Sequence, residues 1–134
     1  MDIKNVVVAG GGVLGSQIAF QAAYKGFNVK VWLRMESSIG RAKPKFERVE
    51  QIYLETLRAM KTKPAAYCRG LADSPELSEA QIDELIEHAA NAMERIEFTL
   101  SHEEAAKDAD LVIEAIAENP TEKVEFYQTM AQYL

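Results

Sequence analysis

The run Gly10-Gly11-Gly12-Val13-Leu14-Gly15 sets glycines in a G-x-G-x-x-G spacing. The first such glycine permits a tight turn, the second lets backbone approach a ligand, and the third lets a following helix pack closely. Where a helix opens on such a loop, its free N–H groups and positive dipole end bind an anion without any basic side chain. That suits a chain of 134 residues with a formal charge of −6. The acidic balance offers no basic footprint for nucleic acid, so an anionic ligand must be held locally, by amides or a few cations.

The elements around the loop decide whether it is more than a turn. Ile3 to Ala9 is a consecutive apolar run rich in β-branched residues, suited to a strand buried on both faces of a parallel sheet. Val13 to Lys25 follows in helical spacing with Ile18, Ala19, Ala22 and Ala23 inward, and Gly26 stops it. Val29, Val31 and Leu33 open a second strand. The glycines therefore sit between a buried strand and a helix inside a β-α-β unit, the context that makes the motif specific for the pyrophosphate of a dinucleotide.

Between about 36 and 95 the pattern is helical. Ile39, Ala42, Phe46, Val49, Tyr53, Leu57 and Met60 form one amphipathic stripe, with Pro44 inside it predicting a kink or a late helix start. Lys63-Pro64 and Ala72 to Pro75 mark loop. Ser78 and Gln81 form a capping box for a helix with the stripe Ile82, Leu85, Ile86, Ala89, Ala90 and Met93. Ile96 to Thr99 is a short strand, Ser101 and Glu104 a second capping box for a brief helix, and Leu111 to Ala117 a fourth strand. Asn119-Pro120 caps a last helix carrying Val124, Phe126, Tyr127, Met130 and Leu134. The fold class is α/β: a Rossmann-type doubly wound parallel sheet, strand order 3-2-1-4, with a long helical insertion between strands 2 and 3. Residues 1–134 make one dinucleotide-binding domain, incomplete at its C-terminus because a full fold of this kind has two more strands.

An NAD-specific fold usually ends its second strand with an acid bonded to the adenosine ribose. Here that position is Leu33, followed by Arg34. Arg34 suits a 2′-phosphate and hence NADP; alternatively it stacks on adenine or points to solvent, with Glu36 supplying the ribose contact. The cofactor is NAD or NADP.

The stretch Val6 to Trp32 (VVVAGGGVLGSQIAFQAAYKGFNVKVW) and the segment Ala109 to Asn119 (ADLVIEAIAEN) resemble the 3-hydroxyacyl-CoA dehydrogenases. The likeness covers almost the whole chain, and the long helical insertion fits it. It implies that Gly10, Gly12, Val13, Leu14 and Gly15 form the cofactor loop, that Ala115, Ile116 and Glu118 lie along the cofactor near the nicotinamide ribose, and that Lys123 also contacts it. Without the resemblance, Glu118 and Lys123 would read as a first-turn pair worth tenths of a kcal/mol. Leu33 and Val49 depart from the pattern, the latter where a serine is expected against CoA. Lys43, Lys45, Arg48 and Arg58 either meet CoA phosphates or form a charged outer helix face. The implied reaction is oxidation of a 3-hydroxyacyl-CoA to the 3-oxo thioester in fatty acid metabolism, by a homo-oligomer.

The resemblance places the catalytic His–Glu pair, with its Ser and Asn, and a C-terminal helical domain beyond this chain. The expectation is cofactor binding without turnover, and self-association or poor solubility in isolation through an exposed edge of the fourth strand. His88 and His102 read as surface or interface residues, Asp108 and Asp110 as turn chemistry, and no metal-ligand cluster is apparent. Cys68 stands alone and no apolar stretch reaches membrane length, which suggests a soluble cytoplasmic protein without membrane partners. A stand-alone nucleotide-binding or redox-sensing module, or another Rossmann dehydrogenase acting on a hydroxy acid, are the alternatives.

Overall fold

The computed structural model describes residues 3–63, 66–74, 76–116 and 120–134. Strands β1 (Asn5–Ala9), β2 (Asn28–Trp32), β3 (Ile96–Thr99) and β4 (Leu111–Glu114) form one parallel sheet in the order β3-β2-β1-β4. Register puts Ala9 opposite Trp32 on one side and Glu114 on the other, so the strands end level. β1 starts two residues later than its apolar run, because Ile3 is partly exposed before pairing begins.

Alternate residues of β1 serve two separate cores, as a doubly wound sheet requires. Val6 and Val8 face α1 (Val13–Tyr24) and α2 (Glu36–Met60), where Ala19, Phe20, Ala42, Phe46 and Leu57 are buried. Val7 and Ala9 face α4 (His102–Ala106) and α5 (Pro120–Met130), against Trp32, Ala105, Phe126 and Met130. The first core is much the larger, because α3 (Glu79–Asn91) and a 3-10 turn over Ala92–Arg95 also join it.

α1 ends in a left-handed turn at Gly26 (φ +100°), where Gly26 N–H donates to Ala23 and Phe27 N–H to Ala22. These two bonds satisfy carbonyls the helix would leave open. α2 runs through Pro44 with its start at Glu36, so the late start does not occur. The carbonyl that proline leaves without a donor belongs to exposed Gly40, which has no side chain in the way and is open to water. The capping box of Ser78 and Gln81 opens α3 as expected. That of α4 is half formed: Ser101 Oγ accepts from Glu104 N–H, while Ser101 N–H donates to Thr99 Oγ1 instead.

β4 ends at Glu114, earlier than its apolar run, and Ala117 and Asn119 lie outside the described residues. α5 buries Phe126 and Met130, one turn apart, but leaves Val124, Tyr127 and the following Leu134 exposed. Only one edge of that helix meets the sheet, so part of its apolar set stays in water.

Asp110 ties the bottom of the sheet together. Its Oδ2 accepts from the backbone N–H of Lys4 and Asn5, at 2.8 and 2.9 Å, and these bonds lower its pKa from the usual carboxylate value. Asp108 takes a left-handed φ of 59° and its carbonyl accepts from Asn5 Nδ2. Both aspartates are turn chemistry, as their positions suggest.

Candidate cofactor cleft

A cleft of about 890 Å³ opens across the C-terminal ends of β1, β2 and β4, where α1, α2 and α5 begin. That is where ligands bind in open α/β sheets, outside the carboxyl ends of the strands at the point where strand order reverses.

The four glycines of the loop are required for different reasons. Gly10 has φ +115°, and a β-carbon there would meet the Ala115 carbonyl oxygen at 2.5 Å. On Gly15 a β-carbon would lie 2.2 Å from the Gly10 carbonyl oxygen. Gly11 is walled by Leu33 Cδ2 and Ala42 Cβ, at 2.8 and 2.9 Å from its would-be β-carbon. Gly12 alone is different. It has an ordinary φ of −74°, and no described residue lies within 4 Å of a β-carbon there. The protein's own packing does not demand glycine there, so the open space above Gly12 is room for something outside the chain. It caps α1 without a side-chain hydrogen bond, and no acid occupies the first turn. The N–H groups that open α1 thus face an approach that a diphosphate fits in shape and charge.

Nine of the eleven residues singled out from sequence line this one cleft: Gly10, Gly12, Val13, Leu14, Leu33, Arg34, Ala115, Ile116 and Lys123. Gly15 lies beneath it as the packing contact just described, and Glu118 is outside the described residues. Leu33 is almost wholly buried, as an apolar wall beside Gly11. Arg34 does not point freely to solvent: its Nη1 pairs with Glu122 Oε1 in the first turn of α5. Glu36 is exposed at the start of α2, between the lining residues Met35 and Ser38.

The lining also brings together side chains that no sequence motif joins. Lys123 Nζ stands 3.7 Å from Glu114 Oε1, a buried oxygen with no hydrogen bond among the described residues. Ser38, Arg41 and Lys45 contribute the α2 wall. Lys45 therefore faces the cleft, while Val49 is packed in the core. Trp32, His102 and Phe126 form an aromatic group on the α5 side, with His102 4.6 Å from the Trp32 ring and 5.8 Å from Phe126. His102 is thus half-buried in a cleft wall and no plain surface histidine; burial lowers its pKa from 6.5. His88 is exposed. Among the described residues no three His, Cys, Asp or Glu side chains group as a metal site.

A doubly wound sheet with this glycine loop and cleft defines a nicotinamide-dinucleotide-binding domain. The description "3-hydroxyacyl-CoA dehydrogenase, NAD binding domain" matches residues 5–134, and the chain belongs to that family. It is 31% identical over 134 residues to a probable 3-hydroxybutyryl-CoA dehydrogenase of Bacillus subtilis (strain 168), covering 97% of this chain and 36% of that protein. A diketoreductase structure, described for dual catalysis of dicarbonyl compounds, superposes with a TM-score of 0.71 at 32% identity, over 99% of this chain and 38% of that one. FadB2 of M. tuberculosis shares the fold, with a TM-score of 0.70 at 23% identity over 100% of this chain and 38% of that one. The chain thus spans little more than a third of the length of these relatives.

Proposed function

We propose that this chain is the cofactor-holding part of an oxidoreductase that converts a 3-hydroxyacyl-CoA to the 3-oxoacyl-CoA. The observation that carries the reading is Gly12, which is open on the protein side and set at the start of α1 within the family's glycine loop. When bound, the cofactor supplies an acceptor for the hydride of the substrate's carbinol carbon. The chain's own part is to hold it: the α1 amides take the diphosphate, the β2 end and α2 wall take the adenosine half, and Ala115, Ile116 and Lys123 flank the other half. Substrate class is supported by the B. subtilis relative's name and by family membership.

Trp32 provides the test, since it is the sole tryptophan and lines the cleft. Its emission overlaps the absorption of reduced nicotinamide. Titration with a reduced dinucleotide is expected to quench Trp32 saturably, and a linear, unsaturable loss of emission sinks the reading. For the substrate, oxidation of 3-hydroxybutyryl-CoA by the protein carrying this chain should far exceed that of free 3-hydroxybutyrate. The opposite order would favour a second reading, a reductase of non-thioester carbonyl compounds, which the 32% identical diketoreductase supports.

A homo-oligomer belongs to the same proposal, supported by β4, which among the described residues pairs with β1 alone and carries exposed Leu111 at its start. A cytoplasmic location is supported by the exposed free thiol of Cys68, which a reducing compartment preserves.

A further inference from the structure

The β2 side of the cleft carries more positive charge than the glycine loop needs. Arg34, Arg41 and Lys45 all line it, with Ser38 among them. Ser38, Arg41 and Lys45 recur at three and four residues along α2 and so share one helix face. Arg41 Nη2 donates to Ser38 Oγ at 3.1 Å. The packing of Leu33 and Ala42 about Gly11 holds that part of α2 against the end of β2, beside Arg34.

In a doubly wound dinucleotide site the end of the second strand faces the 2′ position of the adenosine ribose. A carboxylate there accepts from a 2′-hydroxyl, whereas a guanidinium meets a 2′-phosphate with paired, charge-assisted bonds. The carboxylate position is filled by buried Leu33, whose side chain accepts no hydrogen bond. The acid that reaches Arg34 is Glu122, from across the cleft. Arg34 is 59% exposed in that pair. The Glu122 side chain is 26% exposed, but water reaches the guanidinium and screens the pair, so a dianionic phosphate can compete with Glu122 for Arg34. Arg41 and Ser38 then offer further donors, and among the described residues neither is paired with a carboxylate.

We propose that Arg34, Ser38 and Arg41 form a subsite for a phosphate monoester on the adenosine 2′ position, so that this chain prefers NADP(H) to NAD(H) within an NAD-binding family. Glu122 is the counter-ion that the phosphate replaces. The proposal rests on the reading of the cleft as the dinucleotide site.

The experiment is a calorimetric titration of the protein with NADH and with NADPH separately. NADPH is expected to bind at least tenfold tighter. Arg34→Gln and Arg41→Gln should each erase most of that ratio by weakening NADPH, Arg34→Lys should restore part of it, and Glu122→Gln should tighten NADPH further. Both arginines are exposed, so circular dichroism melts should show the variants folded. Equal or tighter binding of NADH overturns the proposal alone, as does an equal loss of both cofactors in the arginine variants. Binding of neither overturns the cofactor cleft itself, and the subsite with it.

Discussion

The carbonyl oxygen of Gly10 occupies the place a β-carbon on Gly15 would need, only 2.2 Å from its ideal position. α1 is therefore seated on the end of β1 by the absence of a single carbon. Gly15→Ala must push helix from strand, and is expected to cost about 3 kcal/mol, the upper range for overpacking. Gly12→Ala meets nothing and keeps an allowed φ. Its stability should change by less than about 1 kcal/mol, while dinucleotide affinity falls at least tenfold. Urea unfolding and Trp32 titration of both variants separate the two roles; a Gly12→Ala variant that binds normally would show that no ligand uses the space.

Tyr24 Oη donates to the Leu71 carbonyl at 2.6 Å, and Tyr53 Oη donates to Gln21, whose amide donates to the Gly70 carbonyl. The loop around residue 70 is thus tied to α1 through the Tyr24 phenol and the Gln21 amide, which the Tyr53 phenol of α2 holds in place. Tyr24→Phe leaves the Leu71 carbonyl without this donor and should cost about 1–3 kcal/mol. Burial pushes both phenols up to about 12 from 10.0. The unfolded chain releases these protons first, so stability should fall as pH rises above about 10, and less steeply in Tyr24→Phe.

His102 acts at the other end of the scale. Burial against Trp32 and Phe126 lowers its pKa from 6.5, so the unfolded chain binds its proton first as pH falls. Its neutral form is fully compatible with the fold above about pH 6.5, and stability is lost below it, down to the lowered native value. His102→Gln should flatten the loss of stability between pH 7 and 5 seen in urea midpoints. An unchanged slope would place the acid sensitivity elsewhere.

Phe126 is nearly inaccessible and contacts Trp32 at 4.8 Å between ring centres. Phe126→Ala should cost about 3–5 kcal/mol. Because α5 also carries Glu122 and Lys123, the variant should loosen the Arg34 pair as well, raising hydrogen exchange in α5 before α1. Uniform exchange across both helices would contradict this.

How much of this was legible in the residues depends on range. Strand order, the helical insertion and the glycine loop rest on periodicity and short spacings, and all three appear in the structure. The run Leu111 to Ala117 overstates β4 because an apolar run does not say where pairing stops. Val124 and Tyr127 look like core by composition, yet only the Phe126–Met130 edge of α5 meets the sheet. The pairs Arg34–Glu122 and Lys123–Glu114 were not legible at all. Each joins groups that only the folded sheet brings together, and no spacing in the sequence marks Arg41 until α2 is seated beside β2.

The unequal cores on the two faces of the sheet have a mechanical meaning. α1, α2 and α3 bury many side chains on one face, while α4 and α5 rest on a handful, chiefly Trp32, Phe126 and Met130. The cleft straddles that divide, with its glycine loop on the firm half and Glu122 and Lys123 on the yielding one. Local opening draws on the least-buried units first, so the yielding wall should breathe while the loop stands still. A ligand touching both halves would act as a clasp: its binding energy goes into holding α5 down, and the cofactor becomes part of what completes the fold.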